Sequence, residues 1–486
     1  MSPRGGHMFK KVKRLHFVGI GGSGMSGIAE ILINLGYKIT GSDLRKSEAT
    51  ERLENLGANL FYGHSPANVG DADVVVLSSA IRGDNPELIS ASERGIPIIR
   101  RAEMLAELMR LKYGIGVAGT HGKSTTTSLV GEVLVEGGLD PTVIVGGKVV
   151  NLSSNVRLGT GEFLVAEADE FDRSFLRLSP TIAIVTNMER EHMDCYADMD
   201  ELKSAFLEFM NKVPFYGAVI LCIDEPPLQE LIPEIERGII TYGLSTQADV
   251  RAIKVKFEKG KTNFTAIAEE KTLGTIQTNL IGIHNVKNAL AAIAVGLEIG
   301  VDFQTIKSAL AKFSGVYRRF QIKGEVEGIM IVDDFGHHPT EIQVTLQGAK
   351  ATYDRRIVAV FQPHLYSRTQ EFCQEFGKAF LNCDVLVVTE VYGAREDPIP
   401  GISGEMIARA AKDYGHRTVF FEPDVEKIPE LLESVVQAGD LVLTIGAGPI
   451  WKVGECFLKR LQEKTAVDCS KANSTVNTEK AVSSTV

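Results

Sequence analysis

The sequence has neither the paired cysteines of zinc-binding and disulfide-rich proteins nor the positive net charge typical of nucleic-acid-binding proteins. Its six cysteines include no CxxC pair, so neither a zinc site nor a dense disulfide framework is indicated. Thiols used so sparingly are expected to be reduced, as in the cytosol. The formal net charge is -10, and an acidic surface repels phosphate backbones, which makes nucleic acid an unexpected partner. A local basic cluster could still bind a small anion.

The sequence also lacks an apolar run of roughly 18 residues, the length that spans a bilayer. The basic N-terminal segment from Met1 to Lys13 is not followed by the apolar core of a secretory signal. Hydrophobic residues make up 44% of the chain and charged residues 23%, which is typical of globular proteins. We therefore expect a cytoplasmic protein with no membrane partner and, at about 100–200 residues per domain, roughly three domains.

Apolar runs of strand length alternate with amphipathic helical patterns, which predicts an α/β protein with parallel sheets. We expect a Rossmann-like N-terminal domain over 13–112 and a P-loop ATPase-like central domain over 113–317. A C-terminal Rossmann-like domain is expected over 318–464. The tail at 465–486 is rich in Ser, Thr and Lys and has no periodicity, so it is expected to be disordered.

A first glycine loop, GIGGSG at Gly19–Gly24, follows a strand pattern and opens a helix pattern. Glycines allow a tight turn and let backbone amides approach a diphosphate at the helix N-terminus. Asp43 ends the next strand and could accept a hydrogen bond from a ribose hydroxyl. The pattern is compatible with NAD, with another nucleoside diphosphate such as UDP, or with a turn that binds no ligand.

A second glycine loop, GTHGKS at Gly119–Ser124, also lies between a strand and a helix. It departs from the strict Walker A pattern because Val117 stands at the first glycine position. Lys123 can reach the β- and γ-phosphates and the Ser124 hydroxyl can bind Mg²⁺, so the loop predicts ATP. A simple turn would not need a lysine at a helix start, where the helix dipole disfavours a cation.

Two glycine loops together favour ATP in one domain and a nucleotide-bearing substrate in another. Glu167 and His192 each follow an apolar strand, where α/β sheets place ligands, and are the candidate metal ligands. Other carboxylates crowd the same two loops, and most of them are expected to be solvated loop charges. They are Asp169, Glu170, Asp172, Glu189, Glu191 and Asp194.

The third domain carries two polar segments after strands, Asp333–Glu341 and Phe361–Thr369. Both hold groups able to meet a carboxylate, a phosphate or an amine. Arg318 and Arg319 precede them and could reach ATP, because an arginine fork is planar and permanently charged.

The chain contains, in this order, HFVGIGGSGMSGIAEIL, GTHGKSTTT, EADEFDRSFL, TNMEREHMD, GIHNVKNALAAIA, YRRF, DDFGHHPTEI, FQPHLYSRT and IGAGPIW. This series resembles the Mur ligase family over nearly the whole chain. The resemblance implies ATP-dependent ligation of L-alanine to the lactyl carboxylate of UDP-N-acetylmuramate through an acyl phosphate. That reaction belongs to peptidoglycan precursor synthesis, and hence to cell-wall biogenesis, cell shape and cell division.

Three alternative functions remain compatible with the sequence. One is that of another ligase of the same family, which adds a different amino acid or a preformed tripeptide. The others are an NAD-dependent oxidoreductase, which leaves GTHGKS unexplained, and a nucleotide-binding sensor without turnover. The resemblance further implies Mg²⁺ as cofactor and a monomer or weak homodimer.

The resemblance also implies roles for individual residues. Catalytic roles fall on Lys123, His337, His364 and Arg368, the last three near the lactyl carboxylate and the alanine. The ATP-binding residues would be Gly119, Thr120, His121, Gly122, Lys123, Ser124, Thr125, His284, Asn285, Asn288, Arg319 and Asp334. The UDP-sugar would contact Gly21, Ser23, Asp43, Ser79 and Arg82. The metal ligands would be Ser124, Glu167 and His192.

Three residues depart from the family pattern. Phe335 stands where a tyrosine is usual, Leu365 where an arginine is usual, and Phe171 where a serine is common. The first two bear on amino-acid selectivity and leave the ATP residues untouched. Several relatives carry a carbamylated lysine near the metal, but Phe206 and Leu207 occupy that region here, so none is assigned.

Overall fold

The structure is a computed structural model that describes residues 12–78, 80–146, 155–191, 193, 195–258, 260–394 and 396–465. Ser79, His192 and the expected disordered tail beyond Thr465 lie outside the described residues, as does the side chain of Ser23. Two compact units form: the described parts of 1–256, 262–280 and 284–316, and those of 257–261, 281–283 and 317–486. The predicted α/β class with parallel sheets is confirmed, whereas the domain boundaries stay a prediction.

The first unit begins with a five-stranded sheet in the order β3-β2-β1-β4-β5. Every pairing in it is parallel. Its strands are β1 (Arg14–Val18), β2 (Lys38–Asp43), β3 (Asn59–Tyr62), β4 (Val74–Leu77) and β5 (Ile98–Arg100). Its helices are α1 (Ser23–Asn34), α2 (Glu48–Asn55), α3 (Pro86–Glu93) and α4 (Arg101–Met109). The strand order is that of a doubly wound sheet without a sixth strand, the arrangement that holds nucleotides at strand carboxyl ends.

A ten-stranded sheet follows in the order β15-β14-β13-β12-β11-β10-β6-β9-β7-β8. Its first strands are β6 (Tyr113–Ala118), β7 (Thr142–Ile144), β8 (Val156–Arg157), β9 (Phe163–Glu167) and β10 (Ile182–Val185). The others are β11 (Ala218–Cys222), β12 (Gly238–Gly243), β13 (Val250–Glu258), β14 (Lys261–Ala268) and β15 (Lys271–Thr278). Its helices are α5 (Lys123–Glu136), α6 (Met199–Asn211), α7 (Pro226–Gln229), α8 (Ile283–Ile299) and α9 (Phe303–Lys312).

The central strands of this sheet are parallel: β6 lies between β9 and β10. Their residues are apolar on both faces, and Ile115, Val165 and Ile184 are almost wholly buried. Continuous apolar runs are what a parallel sheet covered on both faces requires. Because parallel strands end at the same edge, the loops after β6, β9 and β10 meet there.

The second unit is built on a six-stranded sheet in the order β16-β17-β21-β18-β19-β20. Its strands are β16 (Gln321–Val326), β17 (Ile329–Asp334), β18 (Ile357–Phe361), β19 (Val385–Val388), β20 (Val419–Phe421) and β21 (Leu441–Ile445). Its helices are α10 (Pro339–Thr352), α11 (Tyr366–Glu371), α12 (Cys373–Ala379), α13 (Gly404–Asp413), α14 (Ile428–Val435) and α15 (451–465). Only β16 is antiparallel to its neighbour. Buried clusters cover both faces. Among the described residues, no helix has both the length and the apolar character to cross a membrane.

Candidate active site

The second glycine loop turns tightly between β6 and α5. Gly119 has a φ of +124° and Gly122 a φ of +84°, conformations that favour glycine. A β-carbon on Gly119 would overlap Thr186 Oγ1, and one on Gly122 would lie 2.7 Å from Asn288 Oδ1. The loop is tied to the end of β10, because His121 N donates to Asn187 Oδ1 at 2.8 Å. The backbone is thus held in the shape that the glycines permit.

Lys123 begins α5, and its ammonium group is turned toward its own loop. Nζ donates to Gly119 O at 2.7 Å, to Thr120 O at 3.1 Å, and to the two carboxylate oxygens of Glu170 at 3.0 and 2.9 Å. Burial alone would lower the pKa of Lys123, but the charges of Glu170 and Asp169 raise that pKa well above its usual range. Glu170 is 2% exposed, so it is not one of the solvated loop charges that most of these acids are expected to be.

The predicted metal ligands that the structure describes lie beside this loop. Glu167 ends β9, and its Oε1 accepts a hydrogen bond from Gly146 N at 2.8 Å. Burial raises the pKa of Glu167, while hydrogen bonds from Gly146 and Ser124 and the charge of Lys123 oppose that rise. A hydroxyl and a half-buried carboxylate in hydrogen-bond contact are hard oxygen donors, which fits Mg²⁺. Of the nearby acids, Glu191 is also buried.

The start of α8 packs against the start of α5. Asn288 Nδ2 donates to Asn285 Oδ1 at 3.1 Å, and Thr126 Oγ1 donates to Asn288 Oδ1 at 3.2 Å. The His284 ring nitrogen Nε2 lies 3.0 Å from Asn285 Nδ2. The fold thus brings together the glycine loop and three residues that stand more than 150 positions later in the chain. The remaining loop members, Thr120 and Thr125, are buried at the same turn.

The first glycine loop joins β1 to α1 and is fixed by Asp43. Gly21 N donates to Asp43 Oδ2 at 2.8 Å, and Leu44 N donates to Oδ1 at 2.8 Å. The loop after β4 packs on the same turn, because a β-carbon on Gly19 would lie 3.1 Å from the Ser78 β-carbon. Arg82, on that loop, is exposed. The carboxylate of Asp43 therefore shapes the loop in this structure.

A cavity of about 740 Å³ opens beside this loop within the first unit. Its lining includes five basic side chains that the sequence reasoning missed: Arg100, Arg101, Arg173, Arg177 and Lys212. A β-carbon on Gly24 would lie 2.9 Å from a guanidinium nitrogen of Arg101, which places this arginine at the first turn of α1. The adjacent arginines at the junction of β5 and α4 were the available sequence signal. The cavity has the size and charge to hold an anionic nucleotide.

In the second unit, Asp334 ends β17 and accepts two backbone hydrogen bonds. Phe320 N donates to Oδ2 at 2.8 Å and Gly336 N donates to Oδ1 at 2.7 Å. Burial nevertheless raises the pKa of Asp334 to about 6, with the charge of Arg319 opposing that rise. Asp334 thereby fixes the turn that presents the histidines after it.

A row of polar side chains extends from that turn to the end of β18. His337 Nδ1 lies 3.3 Å from Glu341 Oε2, and the rings of His337 and His364 are 5.8 Å apart. Arg368 Nη1 donates to His364 Nδ1 at 3.2 Å. The structure therefore brings together the three residues expected near the carboxylate and the amine. Leu365 follows with a φ of +70°, a conformation unusual for a side chain with a β-carbon.

Two arginines flank the ring of Phe335. The guanidinium carbons of Arg318 and Arg319 lie 5.2 and 5.5 Å from the ring centroid. Arg318 is buried, and it donates to Asp333 Oδ2 at 2.7 Å and to Gly446 O at 2.6 Å. In this structure the donors of Arg318 are therefore engaged within the second unit, although the sequence offered it as an arginine that could reach ATP. Arg319 is more exposed and pairs with Glu341.

Comparison with known proteins matches three family models along the chain. The Mur ligase family catalytic domain covers residues 14–113, the Mur ligase middle domain 117–296, and the Mur ligase glutamate ligase domain 318–448. The UDP-N-acetylmuramate--L-alanine ligase of Geotalea daltonii is 55% identical over 456 residues, covering 94% of this chain and 100% of the relative. That of Syntrophotalea carbinolica is 54% identical over 457 residues, with the same two coverages.

Two solved structures extend this similarity to the fold. The crystal structure of UDP-N-acetylmuramate-alanine ligase MurC from Thermotoga maritima matches with a TM-score of 0.79 and 31% identity, covering 93% of this chain and 99% of that one. A murein peptide ligase from Psychrobacter arcticus matches with a TM-score of 0.68 and 26% identity, covering 92% and 98%.

Proposed function

The chain belongs to the Mur ligase family, and from that premise we propose that it joins L-alanine to the lactyl carboxylate of UDP-N-acetylmuramate. ATP drives the ligation and is converted to ADP and phosphate. The observation that carries the proposal is full-length similarity: a relative that bears the name of this activity is 55% identical over its whole length. The murein peptide ligase, at 26% identity, is a more distant match.

The reaction has two steps, and the first of them uses the phosphate loop of the first unit. A carboxylate oxygen of the sugar attacks the γ-phosphorus of ATP, the bond to the bridging oxygen breaks, and ADP leaves. Lys123 and the backbone amides of Gly119–Gly122 would hold the phosphates. Ser124 and Glu167 would bind Mg²⁺, which neutralises phosphate charge when it is present. His192 is proposed as a further ligand on the strength of the resemblance alone.

The second step forms the amide bond. The alanine nitrogen attacks the carbonyl carbon of the acyl phosphate, the carbon–oxygen bond to phosphate breaks, and the nitrogen loses a proton. We assign His337, His364 and Arg368 to the carboxylate and amine, because they form one row on the second unit. Arg368 supplies a permanent positive charge for a carboxylate. Arg319 and Asp334 are assigned to the nucleotide.

We propose that the UDP-sugar binds at the first glycine loop and in the basic cavity beside it. Gly21 and the start of α1 would receive the diphosphate, as helix N-termini do in nucleotide-binding folds. Ser23, Asp43, Ser79 and Arg82 are assigned to the same substrate. The five basic residues of the cavity outnumber its two acids, Asp172 and Glu208, so its lining has a positive balance although the whole chain is acidic. A cytoplasmic location and a monomer or weak homodimer complete the proposal.

The test is phosphate release from ATP and Mg²⁺ in the presence of UDP-N-acetylmuramate, with alanine, glycine, serine and a tripeptide assayed in parallel. We expect release that requires both the sugar nucleotide and L-alanine. Release with the tripeptide alone would identify a sibling ligase of the family, the alternative that Phe335 and Leu365 keep open. Absence of release with every amine would leave a nucleotide-binding protein and contradict the proposal.

A further inference from the structure

Glu170 is a buried acid that the proposed reaction does not use. Its carboxylate receives two hydrogen bonds from the Lys123 ammonium, at 3.0 and 2.9 Å. The lysine side chain is 15% exposed and the glutamate side chain 2% exposed. A charged pair shielded from water in this way interacts strongly, because solvent screens it little.

The position of Glu170 is fixed by its backbone. Tyr196, which is 1% exposed, donates its hydroxyl proton to Glu170 O at 2.7 Å, and Arg173 N donates to the same oxygen at 3.1 Å. Asp172 and Arg173 follow with φ angles of +50° and +59°, a strained turn that packing must hold in place. The carboxylate is therefore presented to Lys123 from a rigid turn.

The lysine ammonium is fully occupied by these contacts. It has three protons to donate, and four oxygens accept from it: two carboxylate oxygens of Glu170 and the carbonyl oxygens of Gly119 and Thr120. A lysine that binds the terminal phosphates of ATP must release some of them. The structure thus holds Lys123 in a position in which its charge is already neutralised.

We propose that Glu170 is a positioning residue that retains Lys123 against the glycine loop until the phosphates of ATP displace the carboxylate. The inference rests on the proposed ATP site and adds to it an internal competitor. Only the fraction of molecules with a released lysine binds phosphate well, so the competitor weakens the apparent affinity for ATP and ADP. The same competition assists the departure of ADP after phosphoryl transfer.

The experiment measures the dissociation constants of ATP and ADP by calorimetry on the full chain, with Mg²⁺ and without the other substrates. Glu170→Gln keeps the shape of the side chain and removes its charge, and we expect both dissociation constants to fall by about tenfold. Glu170→Asp keeps the charge on a side chain that is shorter by one methylene. Its dissociation constants for ATP and ADP should fall by a smaller factor. Asp169→Asn is the matched control: it removes a charge from the same loop, 3.9 Å from Lys123, and should change binding less than Glu170→Gln.

A second pair of variants asks whether Glu170 acts through the lysine. In a Lys123→Ala background, Glu170→Gln should no longer tighten binding of ADP, because no ammonium is left to release. An equal gain in both backgrounds would mean that the carboxylate repels the phosphates directly, and this would overturn the proposal. Unchanged or weaker binding of Glu170→Gln in the native background would overturn it as well.

The outcomes separate this inference from the proposed function. If the native chain binds neither ATP nor ADP, the proposed function itself fails. If it binds both and ligates alanine, but Glu170→Gln and Glu170→Asp bind no more tightly, the function stands and the role of Glu170 is refuted. Thermal unfolding of each variant identifies any that do not fold; if Glu170→Gln is one of them, Glu170→Asp, which keeps the charge but draws it back from Lys123, decides the question.

Discussion

Phe335 has a clear structural role although it lacks the hydroxyl of the usual tyrosine. Its ring faces two guanidinium groups, and each contact is a cation–π interaction within about 6 Å. Arg318 is anchored by Asp333, so the ring in turn orders the more exposed Arg319. The aromatic face does this, and a hydroxyl is not needed. The substitution therefore leaves the arginine assigned to ATP in place.

Replacing Phe335 by leucine should remove that ordering. We expect Phe335→Leu to lower kcat/KM for ATP by roughly 3- to 10-fold, which corresponds to the loss of a partly exposed cation–π contact. Phe335→Tyr keeps the ring and should stay close to the native value. Steady-state phosphate release at saturating sugar nucleotide and alanine measures both variants. Native kinetics in Phe335→Leu would show that Arg319 needs no support from the ring.

Among the elements, the strand–loop–helix units at β1–α1 and β6–α5 were predictable. Each pairs an apolar run with glycines and a helical pattern, and local sequence determines both. The short strands β3, β5 and β8 were not predictable from the sequence, because two to four residues carry too little periodicity. The order of strands in each sheet was not predictable either, since it depends on packing between residues far apart in the chain.

The candidate site was predictable where local sequence patterns place its residues, and not where tertiary contacts do. Lys123, Ser124 and Glu167 were expected together, because parallel strands end at one edge, and the structure places the three side by side. The burial of Glu170 was not predictable, since a run of acids in a loop reads as solvated charge. The engagement of Arg318 with Asp333 also depends on a tertiary contact that no local pattern signals.

The turn between β6 and α5 should not tolerate a side chain at Gly119. Gly119→Ala would overlap Thr186 and come within 3.0 Å of the Asn187 backbone, at a φ that already disfavours alanine. We expect the dissociation constant for ATP to rise more than tenfold as the loop distorts, a cost above about 1.4 kcal/mol. Calorimetry measures the change.

Gly138→Ala serves as the matched control for that variant. Gly138 follows the same helix with a φ of +72°, and nothing lies within 4 Å of its added β-carbon. The backbone strain should reduce stability by about 1 kcal/mol without affecting ATP binding. Equal losses of ATP affinity in the two alanine variants would mean that general strain, not the clash at the loop, is responsible.

At the scale of the whole molecule, the two units carry buried acids whose pKa values move in opposite directions. In the first unit, Glu87 is fully buried, which would raise its pKa, but hydrogen bonds from His16, Ser42 and Asn68 lower it to about 2. In the second unit, burial raises the pKa of Asp334 to about 6. Glu87 therefore adds stability above pH 4.5 that is lost as the pH falls toward 2. Asp334 adds stability below pH 3.8 that is lost as the pH rises through 6.

The one tryptophan, Trp451, lies in the second unit and reports on that unit alone. We expect the contribution of Asp334 to the unfolding free energy, measured by this fluorescence as the native chain minus Asp334→Asn, to decrease by about 3 kcal/mol, as an order of magnitude, when the pH rises from below 4 to above 6. Asp334→Asn cannot ionise at this position and should lack this decrease. Identical pH slopes in the native chain and the variant would contradict the assignment.

The strand order of the ten-stranded sheet has a consequence for the history of the chain. The strands β13, β14 and β15 form one margin of the sheet, and β12, β11 and β10 separate them from β6. Insertions, deletions and exchanges at that margin can accumulate over descent without moving the nucleotide loop. Proteins that descend from a common ancestor with this chain should therefore differ most in length and sequence between Val250 and Thr278. They should differ least at the ends of β6, β9 and β10.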